Sequence, residues 1–170
     1  AYDTYRDAGG PSHFAFGVRV QQNGSFFSVA NLVENGDKHY LDRLGLDPNG
    51  AFYKMYNSAE SPSSAEKKTR KHEGFADLKA LIDGMSQANI PARQAYMYDH
   101  LDLPEMINFL AAKMITADTD CCHKNYYLYR DTEGTEEWPA MPWDVDLRFG
   151  RNWPCGSPCL PYFDETLYTH

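Results

Sequence analysis

The sequence has no run of apolar residues long enough to cross a bilayer. Its best stretch, Met106 to Ile115, is broken by Asn108 and Lys113, whereas a spanning helix needs about 20 consecutive apolar residues. Basic residues are also scarce: 16 Lys and Arg stand against 24 Asp and Glu, for a net charge of −8 and a pI near 5.1. An acidic surface argues against nucleic acid as a partner, because its phosphates are held by basic patches. It leaves room for a nucleotide, since a metal ion bridges acidic side chains to phosphates. There is no internal repeat. No secretory leader is visible; the first residue is Ala1, and the chain reads as a segment of something longer from which an export signal would be lost.

Cysteine is sparse as well. The four cysteines form two close pairs, Cys121-Cys122 and Cys155/Cys159. No C-x2-C knuckle is present, and adjacent cysteines rarely wrap one tetrahedral ion, so zinc ranks last. Disulfides in an oxidising compartment rank first and free buried thiols second. Cys155 and Cys159 are the expected oxidised pair.

What remains is ordinary in bulk and aromatic in detail. The 170 residues are 42% hydrophobic and 14% aromatic, enough for one domain with a real core. Phe14, Phe16, Val18 and Val20 alternate with smaller or polar residues, Asn23-Gly24 supplies a type I′ turn, and Phe26 to Val33 is the return strand. Glu34 to Asp37 is a turn, followed by a short helix from Lys38 to Leu44 closed by Gly45. Residues 51–56 read as a strand. Residues 57–72 are polar and read as a loop, whose Lys67, Lys68, Arg70, Lys71 and His72 form a solvated basic face or steer an acidic substrate. Phe75, Leu78, Leu81, Ile82 and Met85 predict a helix over 73–87, ended by Asn89-Ile90-Pro91. Asp102, Pro104 and Glu105 open another helix that runs to about Thr116. Residues 125–130 and 138–143 read as two strands joined by a turn. The arrangement is α+β.

The chemistry concentrates in two places. Asp120 precedes Asn125 by five residues, and Pro142-Trp143-Asp144-Val145-Asp146-Leu147-Arg148-Phe149-Gly150 follows. An Asp, an Asn five positions on and an Asp ahead of Phe-Gly is the order of acidic parts in a protein-kinase site. There the first Asp receives the substrate hydroxyl proton, and the other two hold the ions that bind ATP phosphates. Mg2+ wants oxygen ligands, usually one or two carboxylates plus phosphate oxygens. Taken singly, each feature has a plainer reading. Asp120 and Asn125 could cap a loop. Asp144 and Asp146 could share one face of a strand, although two like charges there repel unless a cation sits between them. His123 and His100 read as loop and helix-entry residues, and Arg148 and Arg151 as structural partners of the acidic motif. Trp138, Trp143 and Trp153 read as core or loop anchors.

Assembled, these pieces resemble the CotH family of secreted and spore-coat kinases. V-R-V-Q-Q-N-G-S-F-F with L-V-E-N resembles the family's Asn-Gly hairpin and the Glu after it. F-Y-K at 52–54 resembles its L-Y-K, and A-D-L-K-A-L-I at 76–82 its helical stretch. D-C-C-H-K-N-Y-Y-L-Y at 120–129 and P-W-D-V-D-L-R-F-G at 142–150 are the most specific. The resemblance implies an atypical kinase fold and ATP-dependent phosphorylation of protein Ser/Thr hydroxyls with Mg2+ or Mn2+, in a secreted, cell-surface or spore-coat setting. It implies Asp120 as the catalytic aspartate, Asn125 and Asp144 as metal ligands with Asp146 in the same motif, and Glu34 at the adenine side of the hinge, where a turn-stabilising carboxylate is the other reading. Residues 1–35 would be the end of the N-lobe hairpin and the hinge, and 36–170 the helical C-lobe.

Two departures stand out. Cys121-Cys122 replaces an expected aromatic residue in the catalytic loop. The lysine that grips the α/β-phosphates lies before the hinge in kinases, so Lys54 comes too late in the chain, and that lysine and the phosphate-covering loop would precede Ala1. Such a segment would bind ATP poorly alone. The rivals to an enzyme are an inactive, kinase-shaped surface or structural module and a plain divalent-cation-binding domain.

Overall fold

The computed structural model describes residues 1–118 and 124–149. A four-stranded antiparallel sheet organises them, in the order β4-β3-β5-β6. Its strands are β3 (Ala51–Met55), β4 (Ala65–Lys67), β5 (Tyr126–Arg130) and β6 (Ala140–Pro142). Strands β3 and β5 lie at the centre, and alternation sorts their side chains cleanly. Ala51, Tyr53, Met55, Tyr126, Leu128 and Ala140 join the larger core, with Leu78, Leu81, Phe109 and Trp138. Phe52, Tyr127, Tyr129 and Met141 form a second, smaller core with Tyr40 and Leu41. Burial on both faces explains why β5 reads Tyr-Tyr-Leu-Tyr without a polar break.

Helices α3 (Ala76–Met85), α4 (Ile90–His100) and α5 (Leu103–Ile115) follow the first of these faces in sequence. Helix α5 starts as its sequence predicts: the Asp102 carboxylate accepts from the Glu105 backbone N–H at 3.1 Å, and Pro104 falls in the first turn. On the other face, α2 (Lys38–Arg43) is capped by Asp37, whose side chain accepts from His39 and Tyr40 N–H groups, and Gly45 closes it with φ +74°. A short helix α1 (Tyr2–Asp7) precedes everything.

Strands β1 (Ala15–Gln22) and β2 (Ser25–Val33) form a separate two-stranded hairpin. Asn23 (φ 52°) and Gly24 (φ 81°) make the expected two-residue turn. Among the described residues the hairpin pairs only with itself, and Phe16, Phe26, Phe27 and Val29 are exposed.

Three expectations need correction. Residues 57–72 are not all loop, because β4 pairs with β3 through Tyr53↔Lys67, Lys54↔Glu66 and Met55↔Ala65. Lys67 is buried there, donating to the Gly74 carbonyl at 2.8 Å near Glu73 and Asp77. Asn89-Ile90-Pro91 does not merely stop a helix. Asn89 caps α4 by accepting from Ala92 N–H at 3.0 Å, and Pro91 sits in the first turn, where its missing N–H is harmless. Consequently His100 lies at the end of a helix and not at an entry, stacked on Tyr96 at 3.9 Å.

Candidate functional site

The register of β5 and β6 builds the site. The last ladder pair is Tyr126↔Pro142. Asn125 immediately precedes this pair and Trp143 and Asp144 immediately follow it, so both segments lie at the same end of the ladder. Two segments read separately in the sequence therefore end side by side. Both residues sit in the left-handed region, Asn125 at φ 62° and Asp144 at φ 53°. That conformation is sparsely populated outside glycine, and Asn and Asp are the side chains that tolerate it best.

Beyond Pro142 the chain turns instead of continuing as a strand, so Asp144 and Asp146 do not share a strand face. Val145 and Leu147 point inward and are buried, while Asp144 and Asp146 are exposed. Trp143, Asp144 and Asp146 line one wall of a cleft of about 380 Å³. Tyr2 and Asp3 of α1 and the hairpin residues Phe16, Gly17 and Asn31 complete it.

Behind this wall lies an aromatic brace. His13 stacks on Tyr40 at 4.1 Å and meets Trp143 edge-on at 5.2 Å; Tyr127 meets Trp143 at 5.4 Å. The His13 Nδ1 lies 3.0 Å from the Glu34 carbonyl. Burial pushes its pKa down to about 4, so it is neutral near pH 7.

Glu34 sits where the hairpin ends. Arg43 donates to both of its carboxylate oxygens, at 2.7 and 2.5 Å, and Phe14 N–H donates at 3.1 Å. Those contacts match the turn-stabilising role. Arg43 also donates to the Ser12 carbonyl and lies over the Phe14 ring, locking the hairpin to α2.

Under the site is a charge cluster that sequence reasoning missed. Asp118 is fully buried and pairs with Lys113 at 2.6 Å and with Arg148. Arg148 thus has the structural role expected of it, with a partner other than Asp144 or Asp146. The signal was present: Lys113 interrupts an apolar helix, and an Asp follows five residues later. Asp120 and His123, with Cys121 and Cys122, lie outside the described residues, as do Cys155, Cys159, Arg151 and Trp153.

The family model described as CotH kinase protein matches residues 1–166. This chain belongs to the CotH kinase family. Inner spore coat protein H of Bacillus subtilis (strain 168) is similar to it, 28% identical over 155 residues, covering 83% of this chain and 42% of that protein. This CotH-family chain therefore spans less than half the length of that relative. Its hairpin, four-stranded sheet and helices are mixed α+β. No helix among its described residues is long and apolar enough to cross a membrane.

Proposed function

We propose that this CotH-family chain carries the catalytic part of an atypical kinase that transfers the γ-phosphoryl group of ATP to protein Ser/Thr hydroxyls. The observation that carries the reading is the convergence of Asn125 and Asp144 at one end of adjacent strands, both in left-handed backbone, beside a cleft that Asp144 and Asp146 line.

The donor types fit a hard divalent ion such as Mg2+ or Mn2+: one amide oxygen and carboxylates. Such a site needs only one or two carboxylates, the rest coming from phosphates and water. Asn125 and Asp144 would hold the ion, with Asp146 supporting, and a bound ion would neutralise phosphate charge. Asp120 would orient the acceptor hydroxyl and take its proton. The hydroxyl oxygen bonds to the γ-phosphorus as the bond to the β,γ-bridging oxygen breaks, and that electron pair leaves with ADP. Little covalent work falls to the protein, so positioning and electrostatics dominate. The hairpin would roof the cleft as the end of an N-lobe, with Glu34 and Arg43 fixing the hinge. The relative's name supports a spore-coat setting; in an exported protein Cys155 and Cys159 would pair.

The test is transfer of labelled γ-phosphate by the full-length protein. Asp120→Ala and Asp144→Ala should each reduce it by on the order of 1,000-fold or more with unchanged circular dichroism. Wild-type-like transfer by either variant would refute the assignment. A wild-type protein that binds the metal but neither binds nor cleaves ATP would favour the plain cation-binding domain instead.

A further inference from the structure

Lys54 stands beside this site with no acidic group holding it. On β3 it faces the same side of the sheet as Phe52, Tyr127 and Met141, and its ladder partner is Tyr127, two residues from Asn125. Its ammonium lies 4.6 Å from the centre of the Trp143 ring and 4.9 Å from that of Tyr56. Among the described residues it makes no ion pair or hydrogen bond. The carboxylate best placed to pair with it belongs to its cross-strand neighbour Glu66, and that group is engaged on both oxygens. Lys68 takes one at 3.1 Å, and the Tyr56 hydroxyl donates to the other at 2.6 Å. Lys54 does feel the Asp144 charge, one residue beyond the tryptophan it lies on. Most half-buried or buried cations among the described residues, such as Lys67, Lys68, Arg70 and Arg130, pair with a carboxylate, and Lys54 does not. A cation–π contact positions an ammonium and leaves its three N–H donors to be used.

We propose that Lys54 is a catalytic lysine of this site, its ammonium donating to the oxygens of the transferring phosphoryl group while Trp143 and Tyr56 hold it in place. The proposal rests on the kinase reading. It does not make Lys54 the lysine that grips the α/β-phosphates, which precedes the hinge in kinases and so, with Glu34 at the hinge, would precede Lys54. Its position next to the Trp143-Asp144 wall fits the γ-phosphate end. Charge there spreads over the equatorial oxygens in the transition state, and a fixed cation acts where charge develops. Lys54 stays protonated throughout; the hydroxyl proton goes to Asp120, and the leaving electron pair goes with ADP.

The test compares wild type, Lys54→Met and Lys54→Arg in the full-length protein with ATP and Mg2+. Lys54→Met should lower kcat by on the order of 100-fold and leave ADP affinity within about threefold, since the lost contact belongs to the γ-phosphoryl group. Lys54→Arg should recover at least about tenfold of that loss by keeping the charge. The thermal midpoints of all three should agree. An unchanged kcat in Lys54→Met, or a loss that follows lost ADP binding or lost folding, overturns the role of Lys54 and leaves the kinase reading standing. A wild-type protein that neither binds ATP nor transfers phosphate overturns both.

Discussion

Arg148 and Asp118 form an ion pair shielded from solvent, joining the turn that carries Asp144 and Asp146 to the segment that leads toward Asp120. Lys113 of α5 completes the group from below at 2.6 Å. Burial lowers the Arg148 pKa to about 10, which still leaves it charged at neutral pH. Removing one member of such a group strands the others in a medium that solvates them poorly, and the usual cost is about 3–5 kcal/mol. Asp118→Ala should therefore lose stability of that order in urea unfolding, because two buried cations lose their shared partner. A loss under about 1 kcal/mol would mean the group behaves as a surface pair.

Asn125 and Asp144 make the opposite trade. Their left-handed backbone costs stability that a glycine would not incur. Asp144 is exposed, so its replacement creates no cavity. Asp144→Gly should relieve that backbone cost and yet be inactive in phosphoryl transfer. Asp144→Val, with a branched side chain at φ 53°, should be less stable than Asp144→Gly by about 1–2 kcal/mol. Equal stabilities for the two variants in parallel thermal melts would show that the backbone relaxes there and stores no strain.

Which parts of this architecture were legible depends on how local their causes are. The Asn23-Gly24 turn, the Asp102 cap and Gly45 are set by residues within a few positions of one another, and they stand where the sequence places them. Asn89-Ile90-Pro91 has two local meanings, the end of one helix or the start of the next. Helix α4 buries no residue fully, so no strong apolar stripe marked it. Lys67 read as one of a solvated basic run because its partners Glu73 and Asp77, and the strand it pairs with, are supplied by the fold. The same holds for Lys54. Chain order set it aside, whereas strand pairing brings it to Trp143, 89 positions later in the sequence.

Glu105 carries a carboxylate oxygen that is buried without a hydrogen-bond partner. Burial first, and the Asp102 charge second, push its pKa up to about 7. A carboxyl raised in this way takes up its proton more readily folded than unfolded. Its charge therefore weakens the fold as pH rises from the unfolded value of 4.5 through about 7. Glu105→Gln should be more stable than wild type at pH 8 and show no such gain at pH 4. A gain of the same size at both pH values would trace it to helix propensity instead of charge.

His13 shifts in the other sense, and its position ties pH to the site. Its folded pKa is held near 4, against 6.5 when exposed, chiefly by burial. Below pH 6.5 the unfolded chain binds a proton that the folded chain refuses, so stability is whole above that value and falls as pH drops toward 4. The full difference corresponds to roughly 3 kcal/mol. Because His13 stacks on Tyr40 and abuts Trp143, protonation should loosen the wall of the cleft along with the fold. His13→Phe keeps the ring and removes the titration. It should flatten the decline in urea midpoint between pH 6.5 and 4, with a penalty at pH 7 for the lost contact to the Glu34 carbonyl. A variant whose acid decline parallels that of wild type would place the titrating groups elsewhere in the molecule.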